Sequence, residues 1–109
     1  MKETFEGMLY LHSIGVVHRD IKLENIMLTN PPSGYDDLSL TNTCPKIIDL
    51  GLACVMTPDE TRADGYGTVA YCSPELLVKR PYNQATDVWS MGILLHAVLT
   101  GTIPFISPD

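Results

Sequence analysis

Residues 17–28 read VHRDIKLENIML, and this stretch decides how the rest of the chain is interpreted. It holds five ionisable side chains and one amide between two apolar ends. The order fits neither an amphipathic helix nor an alternating strand. We therefore predict a polar loop that is flanked by very short strands, residues 16–17 before it and residues 26–28 after it.

The composition is that of one acidic globular domain. The chain has 109 residues, of which 45% are hydrophobic and 18% charged, and this suits a folded chain of at most one domain. Its formal net charge of −6 argues against general nucleic-acid binding and against docking on anionic lipid. Neither nucleic acid nor a membrane is therefore an expected partner, whereas basic peptides are compatible with this charge.

The cysteines and the apolar segments indicate an intracellular, cytoplasmic protein. Cys44, Cys54 and Cys72 are an odd number without paired spacing, which predicts reduced thiols rather than a disulfide frame or a zinc site. Residues 1–7 lack the basic segment and apolar core of a secretory signal. The longest apolar stretch, residues 88–99, has polar interruptions and is too short to span a bilayer.

The first half of the chain is predicted to hold one helix and one long connection. Apolar residues at helical spacing predict a helix from the start of the chain to about Ser13, ended by the glycine that follows. Residues 29–45 are polar and rich in turn formers, which indicates a loop. The Asp36-Asp37 pair is either a metal site or the solvated tip of that loop.

The second half is predicted to hold a long ordered loop and two helices. Residues 49–71 show no sustained period, and loops of this length are usually functional or mobile. Ser73 as a cap and Pro74 at the first helical position predict a helix start. Thr86 is predicted to cap a helix that runs from Asp87 to about residue 100 and is closed by the next glycine. That helix is apolar on nearly all sides, which predicts a buried central helix.

The polar loop carries side chains that suit phosphate and magnesium chemistry. Asp20, Lys22 and Asn25 lie close together in sequence, and Asp49 follows a predicted strand at residues 46–48 that could return the chain beside them. Carboxylate and amide oxygens with a positioned lysine suit hard cations and phosphate rather than zinc. Phosphoryl transfer to a hydroxyl needs one further carboxylate to orient that hydroxyl. The alternative is a chance HRD triplet on a surface turn.

Five motifs in a fixed order decide against chance. HRDIKLEN at residues 18–25 matches the catalytic loop of protein kinases. DLG at residues 49–51 matches their magnesium motif with Leu for Phe, and SPE at residues 73–75 matches their APE motif with Ser for Ala. GTVAY at residues 67–71 and DVWSMG at residues 87–92 complete the set. Over essentially its whole length, the chain resembles the C-terminal lobe of a eukaryotic protein kinase of the serine/threonine type.

This resemblance implies an α+β, mainly α fold, namely a partial C-terminal lobe of the bilobal kinase fold without its N-terminal lobe and final helices. Residues 1–109 would form one partial catalytic domain. Its parts would be a catalytic loop at residues 18–25, an activation segment at residues 49–75 and a central buried helix at about residues 87–100. The implied reaction transfers the γ-phosphate of ATP to serine or threonine hydroxyls of protein substrates, with ATP and Mg²⁺ as cofactors.

The resemblance also implies roles for single residues. Asp20 would orient the substrate hydroxyl and accept its proton, and Lys22 would steady the transferring phosphoryl group. Asn25 and Asp49 would hold magnesium, and these two residues would contact the bound ATP together with Lys22. Arg19 would meet an anion from the activation segment.

Three further residues would support this site. Thr68 would contact Asp20 and Lys22, with a phosphorylation site as the alternative interpretation. Asp87 would hold the backbone of the catalytic loop from below. Glu75 would lack the arginine that the family's final helices normally supply.

Two acidic residues bear on substrates and regulation. The chain most resembles the calcium/calmodulin-regulated branch, in which the position of Glu24 often reads a basic substrate residue; a solvated surface glutamate is the equal alternative. Asp64 lies where related kinases carry a phosphorylatable residue, and it could stand in for the phosphate as the partner of Arg19. Such support would be weak but permanent, because one carboxylate carries less charge than a phosphate. His18 and Leu50 would belong to a stacked apolar column.

Parts of the family pattern do not occur in these 109 residues. There is no glycine-rich loop and no strand lysine with a helix glutamate, so the N-terminal lobe of the same protein is an expected partner. One hypothesis is a piece of a working kinase, which the intact Asp20, Lys22, Asn25 and Asp49 favour. The other is a truncated, non-catalytic module that acts as a binding partner or decoy through exposed helix faces. We expect no appreciable phosphoryl transfer by the 109-residue chain alone.

Overall fold

The computed structural model describes residues 2–29, 44–57, 59–65 and 67–105, so the Asp36-Asp37 pair lies outside the described residues. The described part forms helices and short strands, in agreement with the α+β expectation. The helices are α1 (Lys2–Ser13), α2 (Pro74–Leu77) and α3 (Ala85–Thr100), with 3-10 turns at Leu23–Asn25 and Val69–Tyr71. The strands are β1 (Val16–Val17), β2 (Ile26–Thr29), β3 (Cys44–Ile47) and β4 (Cys54–Val55).

Helix α1 ends where the sequence predicts. It buries one side through Thr4 and Met8. Gly15 follows at φ +83°, a left-handed conformation that glycine adopts without a steric penalty. The chain then turns directly into β1, which leads to the polar loop.

The strands on either side of the polar loop are present, but they belong to different sheets. β1 pairs with β4 and β2 pairs with β3, both antiparallel. β3 occupies Cys44–Ile47 rather than the predicted residues 46–48, because these four residues pair with the four residues of β2. The Ile48 N–H donates to the Asn25 carbonyl at 2.9 Å and continues this pairing by one bond. This bond brings the residue before Asp49 next to the polar loop.

The predicted long loop over residues 49–71 contains two regular elements, β4 and the 3-10 turn Val69–Tyr71. The predicted long ordered loop therefore includes two short elements that the sequence did not indicate. Elements of two and three residues are too short to leave a periodic pattern in the sequence.

The two predicted helix caps have different outcomes. Ser73 is the N-cap residue of α2 and Pro74 lies in its first turn, as predicted, but the Ser73 hydroxyl pairs with the Thr86 hydroxyl at 2.8 Å rather than with the helix. Thr86 is buried inside the first turn of α3, which begins two residues before the predicted start, at Ala85. The Ala85 N–H donates to Asn83 Oδ1 at 2.9 Å, so Asn83 supplies the side-chain cap.

Helix α3 ends as predicted but is not enclosed on all sides. Gly101 closes it at φ +77°, and the Gly101 N–H donates to the Ala97 carbonyl at 2.8 Å. Met91 and Leu94 are buried, whereas the opposite side is exposed because the described part of the chain covers only one side of the helix. The exposed apolar residues there are Val88, Trp89 and Leu99; Val98, near the end of the helix on the side of Met91 and Leu94, is exposed as well.

The core joins α1, α3 and the polar loop. Ile21 lies between two charged residues of the loop, Asp20 and Lys22, and it is 1% exposed. Burial of this single side chain fixes the loop against α3 while its neighbours face the opposite way. The core residues are Met8, Ile21, Tyr71, Met91, Ile93 and Leu94. Across the described ranges, none of the helices combines the length and apolarity that crossing a bilayer requires.

Candidate active site

A buried carboxylate on α3 anchors the polar loop. Asp87 is 1% exposed, and it accepts hydrogen bonds from the backbone N–H groups of His18 at 2.8 Å and Arg19 at 2.9 Å. His12 of α1 contacts the same carboxylate through Nε2 at 2.9 Å, and it must be the donor because a carboxylate only accepts. Asp87 therefore joins α1, the loop and α3 at one point.

His18 links the loop to β3 through its imidazole ring. The Asp20 backbone N–H donates to His18 Nδ1 at 3.1 Å, so the ring proton lies on Nε2. Nε2 then donates to the carbonyl of Ile48 at 2.9 Å. Through these two bonds the buried ring holds the main chain next to both Asp20 and Asp49.

Asp20, Lys22 and Thr68 converge at the outer side of the loop. Thr68 Oγ1 donates to Asp20 Oδ1 at 3.1 Å and accepts from Lys22 Nζ at 2.9 Å. Lys22 Nζ lies 3.7 Å from Asp20 Oδ2. These three side chains form a compact polar cluster with a carboxylate, a cation and a hydroxyl, and only the hydroxyl comes from residues 49–75, the predicted activation segment.

Asn25 and Asp49 supply oxygens that suit a hard cation. Asn25 is 6% exposed, and its Nδ2 donates to the Asp20 carbonyl at 2.8 Å and to Asp20 Oδ2 at 3.3 Å, which directs Oδ1 away from these bonds. The exposed Asp49 carboxylate accepts from the Gly51 N–H at 3.1 Å through one oxygen. One carboxylate and one amide oxygen fit Mg²⁺, which takes its other ligands from water and phosphate. Among the described residues, no group of three His, Cys, Asp or Glu side chains could form an all-protein metal site.

Two residues of the site have left-handed backbones. Arg19 has φ +70° and Asp49 has φ +61°. Such conformations are uncommon outside glycine and concentrate at functional sites, where the surrounding contacts fix them. In Arg19 the backbone is fixed by Asp87, and the side chain is held by a separate set of contacts.

The Arg19 side chain lies in a ring of hydrogen bonds with the activation segment. Its Nη1 donates to Asp64 Oδ2 at 2.9 Å and to the Tyr82 hydroxyl at 3.0 Å, while Nε donates to the Leu52 carbonyl. The Tyr82 hydroxyl donates to Asp64 Oδ1 at 3.1 Å. Burial disfavours the charge on Arg19, but the hydrogen bonds with Tyr82 and Asp64 outweigh it and raise the pKa of this residue.

The activation segment also approaches the loop backbone closely at Gly67. This residue has φ +110°, and a Cβ there would lie 2.7 Å from the Arg19 carbonyl oxygen and 3.5 Å from Cys72 Sγ. Only glycine fits such a position. Burial, and then the nearby Asp20 charge, raises the pKa of the Cys72 thiol, and none of the described Cys44, Cys54 and Cys72 forms a disulfide bond.

Three other predicted residues lie away from these contacts. Glu24 is exposed. Within the described ranges, no hydrogen bond or ion pair reaches the half-buried Glu75 carboxylate, which lines an open groove with Trp89 and Phe105. Leu50 is 54% exposed, so the described residues do not enclose it in an apolar column.

Sequence reasoning missed His12 and Tyr82. The His12–Asp87 contact spans 75 residues and the Arg19–Tyr82 contact spans 63. Neither residue stands in a pattern that indicates a polar role, and His12 falls on the apolar spacing of α1. Only folding brings these residues together, so no local sequence pattern indicates either contact.

A comparison with protein-family models covers all of these residues. The model described as protein kinase domain matches residues 1–109, which is the entire chain. It therefore includes the polar loop, Asp49, the activation segment and α3.

Individual relatives are protein kinases by name. Calcium/calmodulin-dependent protein kinase type II of Caenorhabditis briggsae is 37% identical, and serine/threonine-protein kinase 17A of Oryctolagus cuniculus is 39% identical, each over 109 residues. The type II kinase of Caenorhabditis elegans is 36% identical over the same length. All of this chain takes part in each alignment, but it spans only 19%, 25% and 14% of these relatives, respectively.

Proposed function

The chain belongs to the protein kinase domain family, and from that premise we propose that it carries the catalytic loop and activation segment of a serine/threonine protein kinase. One observation carries the proposal: Asp20, Lys22 and Thr68 meet within hydrogen-bond reach, and Asn25 braces Asp20 from the same loop. Kinase chemistry requires positioned charges of these kinds rather than a covalent intermediate.

Asp20 is the proposed catalytic base. Thr68 and Asn25 fix its two oxygens, so the carboxylate presents one orientation to a substrate hydroxyl. The hydroxyl oxygen forms a bond to the γ-phosphorus of ATP. The bond between that phosphorus and the oxygen that bridges it to the β-phosphate breaks, and ADP leaves. The hydroxyl proton passes to Asp20.

Lys22, Asn25 and Asp49 are the proposed ligands of the nucleotide and its metal. Lys22 Nζ lies close enough to the Asp20 carboxylate to offset negative charge that builds up on the transferring phosphoryl group. Asn25 Oδ1 and the Asp49 carboxylate would hold Mg²⁺, which when bound neutralises phosphate charge. Both residues are positioned through the backbone bond between Ile48 and Asn25.

We propose that Asp64 takes the place of an activation-segment phosphate. The Arg19–Asp64 bond is made with an ordinary carboxylate, so the segment needs no phosphorylation to contact the catalytic loop. Full activity that required phosphate on Thr57, Thr61 or Tyr66 would contradict this.

The described elements would correspond to part of the kinase C-terminal lobe. Because the 109 residues contain no glycine-rich loop, and no strand lysine in the described ranges is paired with a helix glutamate, we propose that ATP binding needs the N-terminal lobe of the same protein. Protein substrates with basic residues fit the net charge of −6 and the exposed Glu24. Three cysteines that form no disulfide bond suit a reducing, cytoplasmic setting.

A second candidate is a non-catalytic binding module. The observation that favours it is the exposed apolar side of α3, where Trp89 stacks on Phe105 with ring centroids 6.0 Å apart. If this candidate is right, the purified 109-residue chain should inhibit a full kinase, and Trp89→Ala should abolish that inhibition.

The decisive experiment measures phosphorylation of a basic peptide with Mg²⁺ and ATP by the longest protein that the gene encodes. Asp20→Asn should lower the rate by about 100-fold or more, since it removes the base but keeps the shape. Asp59→Asn, at an exposed position of the activation segment, is the matched control and should keep full activity. An unchanged rate in Asp20→Asn would contradict the proposed function. Asp20-dependent phosphorylation by the 109-residue chain alone would contradict the need for a further lobe.

A further inference from the structure

Tyr82 completes a closed ring of hydrogen bonds with Arg19 and Asp64. Arg19 Nη1 donates to one Asp64 oxygen and to the Tyr82 hydroxyl, and that hydroxyl donates to the other Asp64 oxygen at 3.1 Å. Each member therefore contacts both others. The Asp64 carboxylate cannot rotate without losing bonds to two different partners.

Burial within the ring is uneven. Tyr82 is 2% exposed, whereas the side chain of Asp64 is 40% exposed and that of Arg19 is 9% exposed. An ion pair with one exposed partner holds its side chains weakly, because water and salt compete for the exposed charge. The Tyr82 hydroxyl lies on the protected side, where a hydrogen bond to a charged group is stronger and more costly to lose.

Tyr82 also binds the activation segment through its backbone. The Arg62 N–H donates to the Tyr82 carbonyl at 2.9 Å, and the Tyr82 N–H donates to the Arg62 carbonyl at 2.7 Å. Arg62 is two residues from Asp64. The same residue therefore contacts the segment at two neighbouring points, once with its main chain and once with its hydroxyl.

The protonation states favour this ring. Burial, the largest influence, raises the pKa of the Tyr82 phenol, so the hydroxyl keeps the proton that it donates. Burial alone would favour the protonated form of Asp64, but the hydrogen bonds from Arg19 and Tyr82 outweigh it and lower the pKa of this carboxyl. Asp64 is thus held in the ionised form that accepts both bonds.

We propose that Tyr82 is a positioning residue whose hydroxyl fixes Asp64 against Arg19 and so holds residues 59–65 beside the catalytic loop without a phosphate. Its consequence for catalysis rests on the proposed kinase function, because it acts through Arg19 on the neighbouring Asp20. The contact with the segment does not depend on that function and can be tested by itself.

The first test is limited trypsin digestion of the 109-residue chain, followed by mass spectrometry. Tyr82→Phe removes the hydroxyl and keeps the buried ring. Cleavage of the Arg62–Ala63 bond should become about tenfold faster or more, because losing hydrogen bonds with charged groups raises the population in which the segment is open. Cleavage after Lys46, which lies in β3 away from the ring, should not change.

Two variants make this test specific. Tyr10→Phe makes the same chemical change on the exposed side of α1, where Tyr10 is 65% exposed, and should leave both cleavage rates unchanged. If the hydroxyl acts through Asp64, Tyr82→Phe should have little further effect in an Asp64→Asn background, whereas a packing role would give additive effects. Unchanged cleavage after Arg62, equal acceleration at both sites, or additive effects in the double variant would each overturn the proposal.

A kinetic measurement on the longest protein that the gene encodes tests the consequence for catalysis. Tyr82→Phe should lower kcat for a basic peptide and leave the KM for ATP unchanged, because the ring touches the loop that carries Asp20 and not the nucleotide. An unchanged kcat would overturn the positioning role in catalysis. If the wild-type protein phosphorylates no peptide, the proposed kinase function fails instead, and the digestion results still decide whether Tyr82 holds the segment.

Discussion

Asp87 and Asp64 hold the same residue, Arg19, from two sides and in different surroundings. Asp87 is 1% exposed and accepts from the Arg19 backbone N–H, whereas the Asp64 side chain is 40% exposed and accepts from the Arg19 guanidinium. The first carboxylate belongs to a core helix and the second to the activation segment. Arg19 therefore contacts a buried anchor, Asp87, through its backbone and an exposed anchor, Asp64, through its side chain.

The difference shows how burial sets the strength of chemically similar contacts. Asp87 satisfies three donors, from His12, His18 and Arg19, that have little access to water. Removing a buried acceptor leaves each donor unpaired, which costs more than the bond itself contributes. Asp64 can exchange its bonds for water at a small cost, so its contact can respond to pH, salt or modification.

The largest expected effect is that of Asp87→Ala. The substitution leaves three donors without their acceptor, and we expect a loss of on the order of 3–5 kcal/mol in the free energy of unfolding. Urea denaturation followed by circular dichroism measures this loss. Asp59→Ala, at an exposed position, is the matched control and should change stability by less than about 0.5 kcal/mol. Equal losses in the two variants would show that the buried anchor is no stronger than a surface carboxylate.

Removal of one of the three donors should have a smaller effect on the same anchor. His12→Ala removes the bond from Nε2 to Asp87 and should lower the free energy of unfolding by about 2 kcal/mol. His12→Gln can restore a donor and should recover part of that loss. His96→Ala, at an exposed position of α3, serves as the control under the same urea denaturation. A His12→Ala protein as stable as His96→Ala would mean that Asp87 does not need this partner.

The two anchors also differ in how far the sequence predicts them. The catalytic loop is short and its side chains lie within a few residues of one another, so pattern and spacing predict a polar site, and the family resemblance supplies Asp87 and Asp64. The ends of α1 and α3 follow from Gly15 and Gly101, whose backbone freedom ends helices.

The features that the sequence does not predict depend on contacts between residues that are far apart in the chain. Tyr82 meets Arg62 only where two irregular segments cross, and no periodicity records such a crossing. β4 exists because β1 pairs with it, although two residues are too few for a strand signal. The apolar surface of α3 predicted burial on all sides, but burial depends on neighbours, and the described residues cover only the side that carries Met91 and Leu94.

Gly67→Ala tests whether the activation segment that carries Asp64 can open while the core around Asp87 stays folded. An alanine there would have an unfavourable positive φ and a Cβ 2.7 Å from the Arg19 carbonyl oxygen, so we expect a cost of about 1–2 kcal/mol that falls mainly on the activation segment. Trypsin cleavage after Arg62 should accelerate, while the urea midpoint of the whole chain should change little. Gly65→Ala is the matched control, because a Cβ at that position meets nothing within 4 Å. A large fall in the urea midpoint would instead mean that segment and core unfold together.

The smallest expected effect concerns the pH dependence of the Asp64 contact. In the folded chain the pKa of Asp64 lies below its ordinary value of about 4. The stabilisation is therefore complete above about pH 4, and it is lost as the pH falls through the lower folded value, where both states are protonated. The difference in urea midpoint between wild type and Asp64→Asn should be constant from about pH 7 to 5 and should shrink below about pH 4, with Asp59→Asn as the control for the loss of one carboxylate. A difference that stays constant down to about pH 2.5 would show that Asp64 acts through its shape and not its charge.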